Sequence, residues 1–399
     1  MKKFMYFAAA LLVLVGCNKK DNTLNNAPEG TPFEKGQQVT LTVGAGAQQG
    51  PNRVAGVENT TDNQIDFKWE ENDQILVKVG DKTAEFTLTT GEGTETGTFS
   101  GVMPASGTTF DIQYPIEEPA LSAQVYTTTK TIPADKMLFT ATNCTLGNNA
   151  TLQAQYAMLQ LNLYGENKTI GKIVVTDITN IFDASEPVRS AMLTCTSGVK
   201  IGDTEDAATP FYMVVPAGEY RFEVRIWNNA ATPAKLAWFG TSADKTFTAG
   251  NCLNMPTREV KVERTYVDLG AAGKWATVNI EDVAPEDHGK TYQYSAEPSL
   301  GIDERWPEKA DFDKLVSFYN KKWVENFLGF GANGYLFING NEYLFMPAAF
   351  DHDGSFWASD AEWSSAWTLY ISNEPAIYTR TRGLQDGYLI RTMWEHYVN

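Results

Sequence analysis

Cysteine and histidine are scarce: four of the first and three of the second occur in 399 residues. Apart from Cys17 the cysteines are Cys144, Cys195 and Cys252, an odd set without Cys-x-x-Cys spacing, which argues against a zinc site and against a disulfide framework. One bridge among the three, or three buried thiols acting as small hydrophobes, are both open readings. No serine or cysteine nucleophile motif accompanies a histidine, and His288 and His396 lie far apart, so a catalytic triad has no support. A glycine-rich phosphate loop is missing too. Positive charge is also short. Lysine and arginine number 32 against 49 acidic residues, and the net charge of −17 repels phosphate backbones, which disfavours nucleic acid and broad adhesion to anionic lipid. After Val15 no apolar run is long enough to cross a bilayer as a helix. The expectation is a non-enzymatic chain without a cofactor.

What is present is a globular composition, 43% hydrophobic and 12% aromatic, with length enough for two or three domains. The chain opens with Met1, Lys2 and Lys3, a positive stretch before an apolar run from Phe7 to Val15 that is too short to span a membrane. This reads as a cleaved export signal. Gly16 and Cys17 follow, and small residues before a cysteine resemble the bacterial lipobox. That resemblance implies residues 1–17 as a lipoprotein signal, acylation of Cys17 and attachment to the outer membrane through lipid, since several acyl chains hold where one does not. Residues 18–36 are polar and read as a flexible tether. Lys19, Lys20 and Asp21 resemble the charged export tags of surface lipoproteins in Bacteroidetes-type bacteria.

Residues 37–115 carry short β-runs. Gln64 to Trp69 alternates, with Ile65, Phe67 and Trp69 on one side; Ile75, Val77 and Val79 repeat the period of two; Gly80 and Asp81 supply a hairpin turn before Phe86 and Leu88. Residues 116–262 repeat the style. Leu159, Leu161 and Leu163 alternate with Gln160 and Asn162, and Tyr220, Phe222, Val224 and Ile226 alternate with Arg221, Glu223 and Arg225. Each run predicts a strand with one buried and one wet face.

The order of Phe67, Lys68, Trp69, then Asp73 and Ile75, Tyr114 and Pro115, Val215 to Gly218, and Thr248 to Gly250 resembles a fimbrillin-like protein. That family of lipoprotein-derived pilus subunits implies two tandem β-sandwiches. In fimbrillins an arginine-specific protease removes the leader and first strand, and a neighbouring subunit's strand fills the groove by donor-strand exchange. Arg53, in the loop after Val39, Leu41 and Val43, is the candidate processing site; the alternative is a solvated loop arginine.

Residues 263–399 hold seven of the ten tryptophans. Tyr266 to Gly270, Lys274 to Asn279, Pro285 to Gly289, Trp306 to Glu308, Phe345 to Ala349 and Gly354 to Ser359 resemble, in that order, the Fibrobacter major paralogous domain, which looks related to the C-type-lectin-like and formylglycine-generating-enzyme fold. No cysteine follows Cys252, so the oxidase chemistry of the latter is excluded here. Trp357, Ala358, Ser359 and Asp360 depart from the calcium-binding triplet of sugar-binding lectins, which puts a calcium-dependent sugar site in doubt. Phe312, Leu315, Val316 and Tyr319 predict an amphipathic helix with Pro307 in its first turn, and Asn339 and Gly340 predict a hairpin turn. Asp351 and Asp353 flank His352 as weak metal candidates, although Asp-His-Asp-Gly is also ordinary turn chemistry. Trp363 and Trp367 are candidate ligand contacts, and Trp357 reads as core.

The expectation is therefore a mainly β protein, two tandem antiparallel β-sandwich domains followed by an α+β C-type-lectin-like domain. The resemblances imply a surface-exposed lipoprotein of fimbrial type, accessory or tip, working in adhesion or pilus assembly beside other pilus subunits and meeting host or environmental protein or glycan. The rival reading is a glycan-binding surface lipoprotein for polysaccharide capture.

Overall fold

A computed structural model describes residues 28–44, 57–59, 64–66, 68–126, 137–181, 189–241, 243–288, 291–294, 304–348, 354–362, 364–372 and 376–394. The chain is mainly β, as expected. It falls into two compact units, one within Met1–Ala55, Asp66–Pro119 and Met137–Ala154, the other within Gly56–Ile65, Ala120–Lys136 and Gln155–Asn399.

In the first unit eight strands form one sheet, in the order Ala150–Thr151, Gln38–Gly44, Thr96–Val102, Lys82–Thr90, Gln74–Val79, Phe110–Tyr114, Phe139–Cys144 and Gln153–Ala154. The first and last of these are one stretch of chain parted only by Leu152. Residues 150–154 thus pair with Gln38–Gly44 on one side, Val43 opposite Ala150, and with Phe139–Cys144 on the other, Ala154 opposite Phe139. The sheet closes on itself, which differs from the two stacked sheets expected of a sandwich and removes the open edges such a sheet would have. Pairing of Phe110–Tyr114 with Phe139–Cys144 also carries this unit beyond residue 115, where the sequence suggested a boundary.

Alternation sends Val39, Leu41, Val43, Ile75, Val77, Phe86 and Phe99 into the core. Trp69 fills the centre, with Phe99 and Tyr114 edge-on at 4.8 and 5.2 Å, and its indole N–H donates to the Val43 carbonyl at 3.3 Å. Trp69 lies beyond the short strand Gln64–Asp66, not within it. The Gly80–Asp81 turn is present: Val79 pairs with Lys82, and Gly80 takes the positive φ of +59° that a two-residue hairpin loop demands.

The second unit begins with two facing sheets. One runs Lys235–Gly240, Phe222–Asn228, Thr169–Asp177, Ser190–Lys200, Gln124–Val125; the other runs Thr209–Pro216, Tyr156–Tyr164, Cys252–Asn254, with Arg258–Glu259 also on Tyr156–Tyr164. Leu159, Leu161, Leu163, Ile173, Val175, Phe211, Val224 and Ile226 pack between them. Gln124 caps one strand edge with its side chain, which donates to the Val214 carbonyl at 2.8 Å and accepts from its N–H at 2.7 Å.

The C-terminal residues of this unit add the helix Lys309–Val316 and several short sheets, among them Lys321–Val324, Gly334–Asn339, Glu342–Pro347 and Gly354–Glu362, Ser365–Ser372, Ala376–Gly383. Phe312 and Leu315 are buried beside Trp275, whose ring lies 5.7 Å from Phe312. The helix begins one residue after Glu308, whose N–H donates to Asp311 at 3.0 Å, so Pro307 precedes the helix instead of occupying its first turn. It stops where the Ser317 hydroxyl donates to the Asp313 carbonyl at 2.9 Å. Tyr319, expected on the buried stripe, lies past that stop and is 87% exposed. The hairpin turn falls on Gly340 and Asn341, one residue later than expected, because Asn339 pairs with Glu342.

Candidate functional site

The strand Phe222–Asn228 was expected to wet one face. Instead both faces are covered: Arg221, Glu223 and Arg225 are 7%, 2% and 0% exposed. The cover comes from the C-terminal residues of the same unit. Ile178 and Ile181 of the sandwich pack with Phe327, Leu328, Ala332, Leu336, Ile338 and Phe345, and Trp238 packs with Val278 and Ala284. Phe327 and Phe345 stack at 3.9 Å. Apolar burial of this kind, at about 25 cal/mol per Å², supplies the adhesive part of the contact.

The charges buried by that contact include a paired set. Arg225 meets Glu286 through two bonds, Nε to Oε1 at 2.8 Å and Nη2 to Oε2 at 3.0 Å, and reaches Glu223 at 3.1 Å. Glu223 also accepts from the Trp238 indole at 3.0 Å and from the Tyr343 hydroxyl. Lys235 completes the group, 2.7 Å from Glu286 and paired with Asp287. The Phe330 ring sits 4.2 Å from the Arg225 guanidinium. Burial alone would raise the Glu286 pKa, but Arg225 and Lys235 hold it down at about 2. Burial acts to lower the Arg225 pKa, and Glu286 and Glu223 outweigh it, so the pKa is raised and the guanidinium stays charged. Burial and then Glu223 push the Tyr343 hydroxyl well above its ordinary value, so it stays a donor.

The loop that inserts Phe327 and Leu328 is backbone-strained. Asn326 and Leu328 have φ of +49° and +50°, a region leucine rarely adopts, and Leu328 is 5% exposed. Side chains hold the loop closed: Asn326 Oδ1 accepts from the Gly331 N–H at 2.7 Å, and Asn333 Oδ1 from the Asn326 N–H at 2.9 Å. Such strain persists where the surroundings over-determine it.

Beside the contact lies a cleft of about 320 Å³, walled by Arg221, Trp238, Phe239 and Thr241 of the sandwich and by Tyr266, Thr277, Pro285, Asn341 and Glu342. A smaller hollow of about 120 Å³ adjoins it and shares Phe239, Gly240, Thr241 and Arg258.

Trp367 is half-buried, packed on the helix core and covered by the Lys309 ammonium 4.7 Å above its ring. Trp357 is fully buried, its indole donating to the Tyr292 carbonyl at 2.7 Å. Asp360 accepts from the Lys309 N–H at the start of the helix, at 2.6 Å. Cys17, Arg53, Asp351, Asp353 and Trp363 lie outside the described residues. Among those described, no group of three or more His, Cys, Asp and Glu side chains is gathered as a metal site, and no helix is long and apolar enough to cross a membrane. Cys144, Cys195 and Cys252 are thiols; burial pushes Cys195 up to about 12, and burial followed by Asp111 pushes Cys144 up to about 11. Neither is poised as a nucleophile. Sequence reasoning missed the role of Arg225, Glu286, Lys235 and Tyr343. The one local signal was the alternation of sign in Arg221, Glu223 and Arg225.

No family model and no curated protein matches the chain. Among solved structures, it is similar to a candidate cell adhesion protein from Bacteroides uniformis, 12% identical, over 56% of this chain and 93% of that one, with a TM-score of 0.28. It is similar to a fimbrial protein from Bacteroides ovatus, 10% identical, over 91% and 100%, with a TM-score of 0.24. A third is the tip fimbrial protein Mfa3 from Porphyromonas gingivalis with C-terminal truncation, 12% identical, over 50% and 81%, with a TM-score of 0.22. Scores this low settle neither fold nor function.

Proposed function

We propose that this chain is a non-catalytic subunit of the fimbrial adhesion class, exported through Cys17 to the outer membrane, with its C-terminal residues mounted in one orientation on the second β-sandwich as an α+β, lectin-like head. The observation that carries the reading is the Arg225, Glu286 and Glu223 set. Buried ion pairs add little net stability, because desolvation offsets their attraction, but a mismatched arrangement would leave charges buried and unpaired. Their use here is therefore orientation: apolar contacts hold the head on, and the charges admit one docking register. A subunit that bridges a cell and a surface transmits force along its length, and a fixed head suits that task better than a hinged one. The lysines and apolar run before Cys17 support export. Arg53 is the processing site in this reading, and loss of the leader strand would open a groove for another pilus subunit.

Intact-mass and amino-terminal sequencing of the protein in sheared surface fibres tests this. A terminus at Val54 in the fibres is the expected result, and an acylated Cys17 retained there would sink processing at Arg53. Recovery of the chain only from the cytoplasm, with residues 1–17 still attached, would overturn it.

A further inference from the structure

The cleft between the sandwich and the C-terminal residues has the chemistry of a ligand site. Its volume of about 320 Å³ stands at the lower end of the ~300–1,000 Å³ usual for small-molecule pockets, and the adjoining hollow of about 120 Å³ extends it past Arg258. Its lining combines apolar and aromatic side chains, from Trp238, Phe239, Tyr266 and Pro285, with hydroxyl, amide and carboxylate groups from Thr241, Thr277, Asn341 and Glu342.

Its arginines are already paired. Arg258 is paired with Glu263, and Arg221 lies 3.4 Å from Asp244 and donates to the Asn341 carbonyl. Glu223 is consumed by Arg225, Trp238 and Tyr343. An anionic ligand would meet no spare arginine charge, whereas a neutral one needs none and can donate hydroxyls to the Glu342 carboxylate, which accepts from the Asp268 N–H at 3.1 Å. What is spare is hydrogen-bonding capacity at Arg258, whose guanidinium lies 4.4 Å over the Phe239 ring at the wall common to both hollows. Its Nη2 goes to Glu263, while Nε is enclosed without a partner. An unused enclosed donor is costly, and a small turn of the side chain would hand it to a ligand oxygen.

We propose that this cleft binds a neutral polyhydroxylated ligand, a glycan end of roughly one or two sugar rings given the cleft's size, with Arg258 donating to its hydroxyls and the aromatic side chains taking its C–H face. The site rests on the adhesion reading above and names the class of partner that reading leaves open. It does not use Trp367.

The test is a glycan array of neutral mono- and disaccharides beside sialylated and uronate-bearing ones, probed with the full exported chain and followed by titration of the best-bound glycan. Two variants accompany it: Arg258→Lys keeps the charge but loses the planar donor fork, and Thr277→Leu adds bulk to the wall. The expected result is binding of neutral glycans, weakened about tenfold or more by each variant, as for a lost charge-assisted hydrogen bond, and unchanged by Trp367→Ala. Absence of neutral-glycan binding, preference for the acidic glycans, or Arg258→Lys binding as tightly as the wild type would overturn the proposal. Display of the Arg258→Lys protein on cells is scored separately: failure of the cleft leaves surface fibres intact, whereas failure of the adhesion reading removes the chain from them.

Discussion

Two strands with the same alternating grammar meet opposite fates. Lys82–Thr90 buries Phe86 and leaves Lys82 and Glu85 exposed, whereas Phe222–Asn228 buries Phe222, Val224 and Ile226 and also Glu223 and Arg225. Periodicity says which face is apolar. It does not say whether the polar face meets water or another part of the chain. The distinguishing feature is complementarity at long range: the charges on Phe222–Asn228 find Glu286 and Tyr343, while Lys82 pairs with its neighbour Asp81, 3.0 Å away at the surface.

The comparison can be broken by mutation. Glu286→Ala leaves Arg225 buried without its bidentate partner and should cost about 3–5 kcal/mol in denaturant unfolding, whereas Lys82→Ala should stay within about 0.5 kcal/mol. Equal losses at the two sites would erase the contrast. Acid sharpens it. Glu286 titrates near 2 when folded against an ordinary 4.5, so its stabilisation, about 3 kcal/mol, is complete above about pH 4.5 and lost as pH falls towards 2. Asp282 works the other way: burial raises it to about 6 from 3.8, so the fold gains stability as pH drops from about 6 towards 3.8. A pH series of unfolding midpoints should therefore peak in weak acid, and Glu286→Gln should flatten the fall on the acid side. A smaller effect, about 1–2 kcal/mol, is expected for Asp311→Ala, which removes the acceptor of the Glu308 N–H and the partner of Arg305 at 2.6 Å.

Much of the local structure was legible. The Gly80–Asp81 turn, the leucine face of Tyr156–Tyr164 and the Phe312–Leu315 stripe follow from spacing and turn chemistry within a few residues. Missed features depend on distant partners. Closure of the first sheet at residues 150–154 joins segments more than a hundred residues apart, and no local pattern marks it. Tyr319 fitted the helical spacing, yet the Ser317 cap ends the helix first. Arg225 and Glu286 are 61 residues apart, and only the sign alternation around Arg225 hinted at a partner. Of the candidate contacts, Trp367 lies half-buried on the strand Ser365–Ser372 with the Lys309 ammonium over its ring, a contact that spacing does not reveal.

The central claim is that the C-terminal residues and the sandwich sheet open as one body. Native-state hydrogen exchange on the full chain tests it most directly. Phe222–Asn228 and the hairpin Gly334–Asn339/Glu342–Pro347 should show matching protection in the wild type and lose it together in Glu286→Ala. A hairpin that exchanges freely while the strand stays protected, with Glu286→Ala leaving that gap unchanged, would contradict the account.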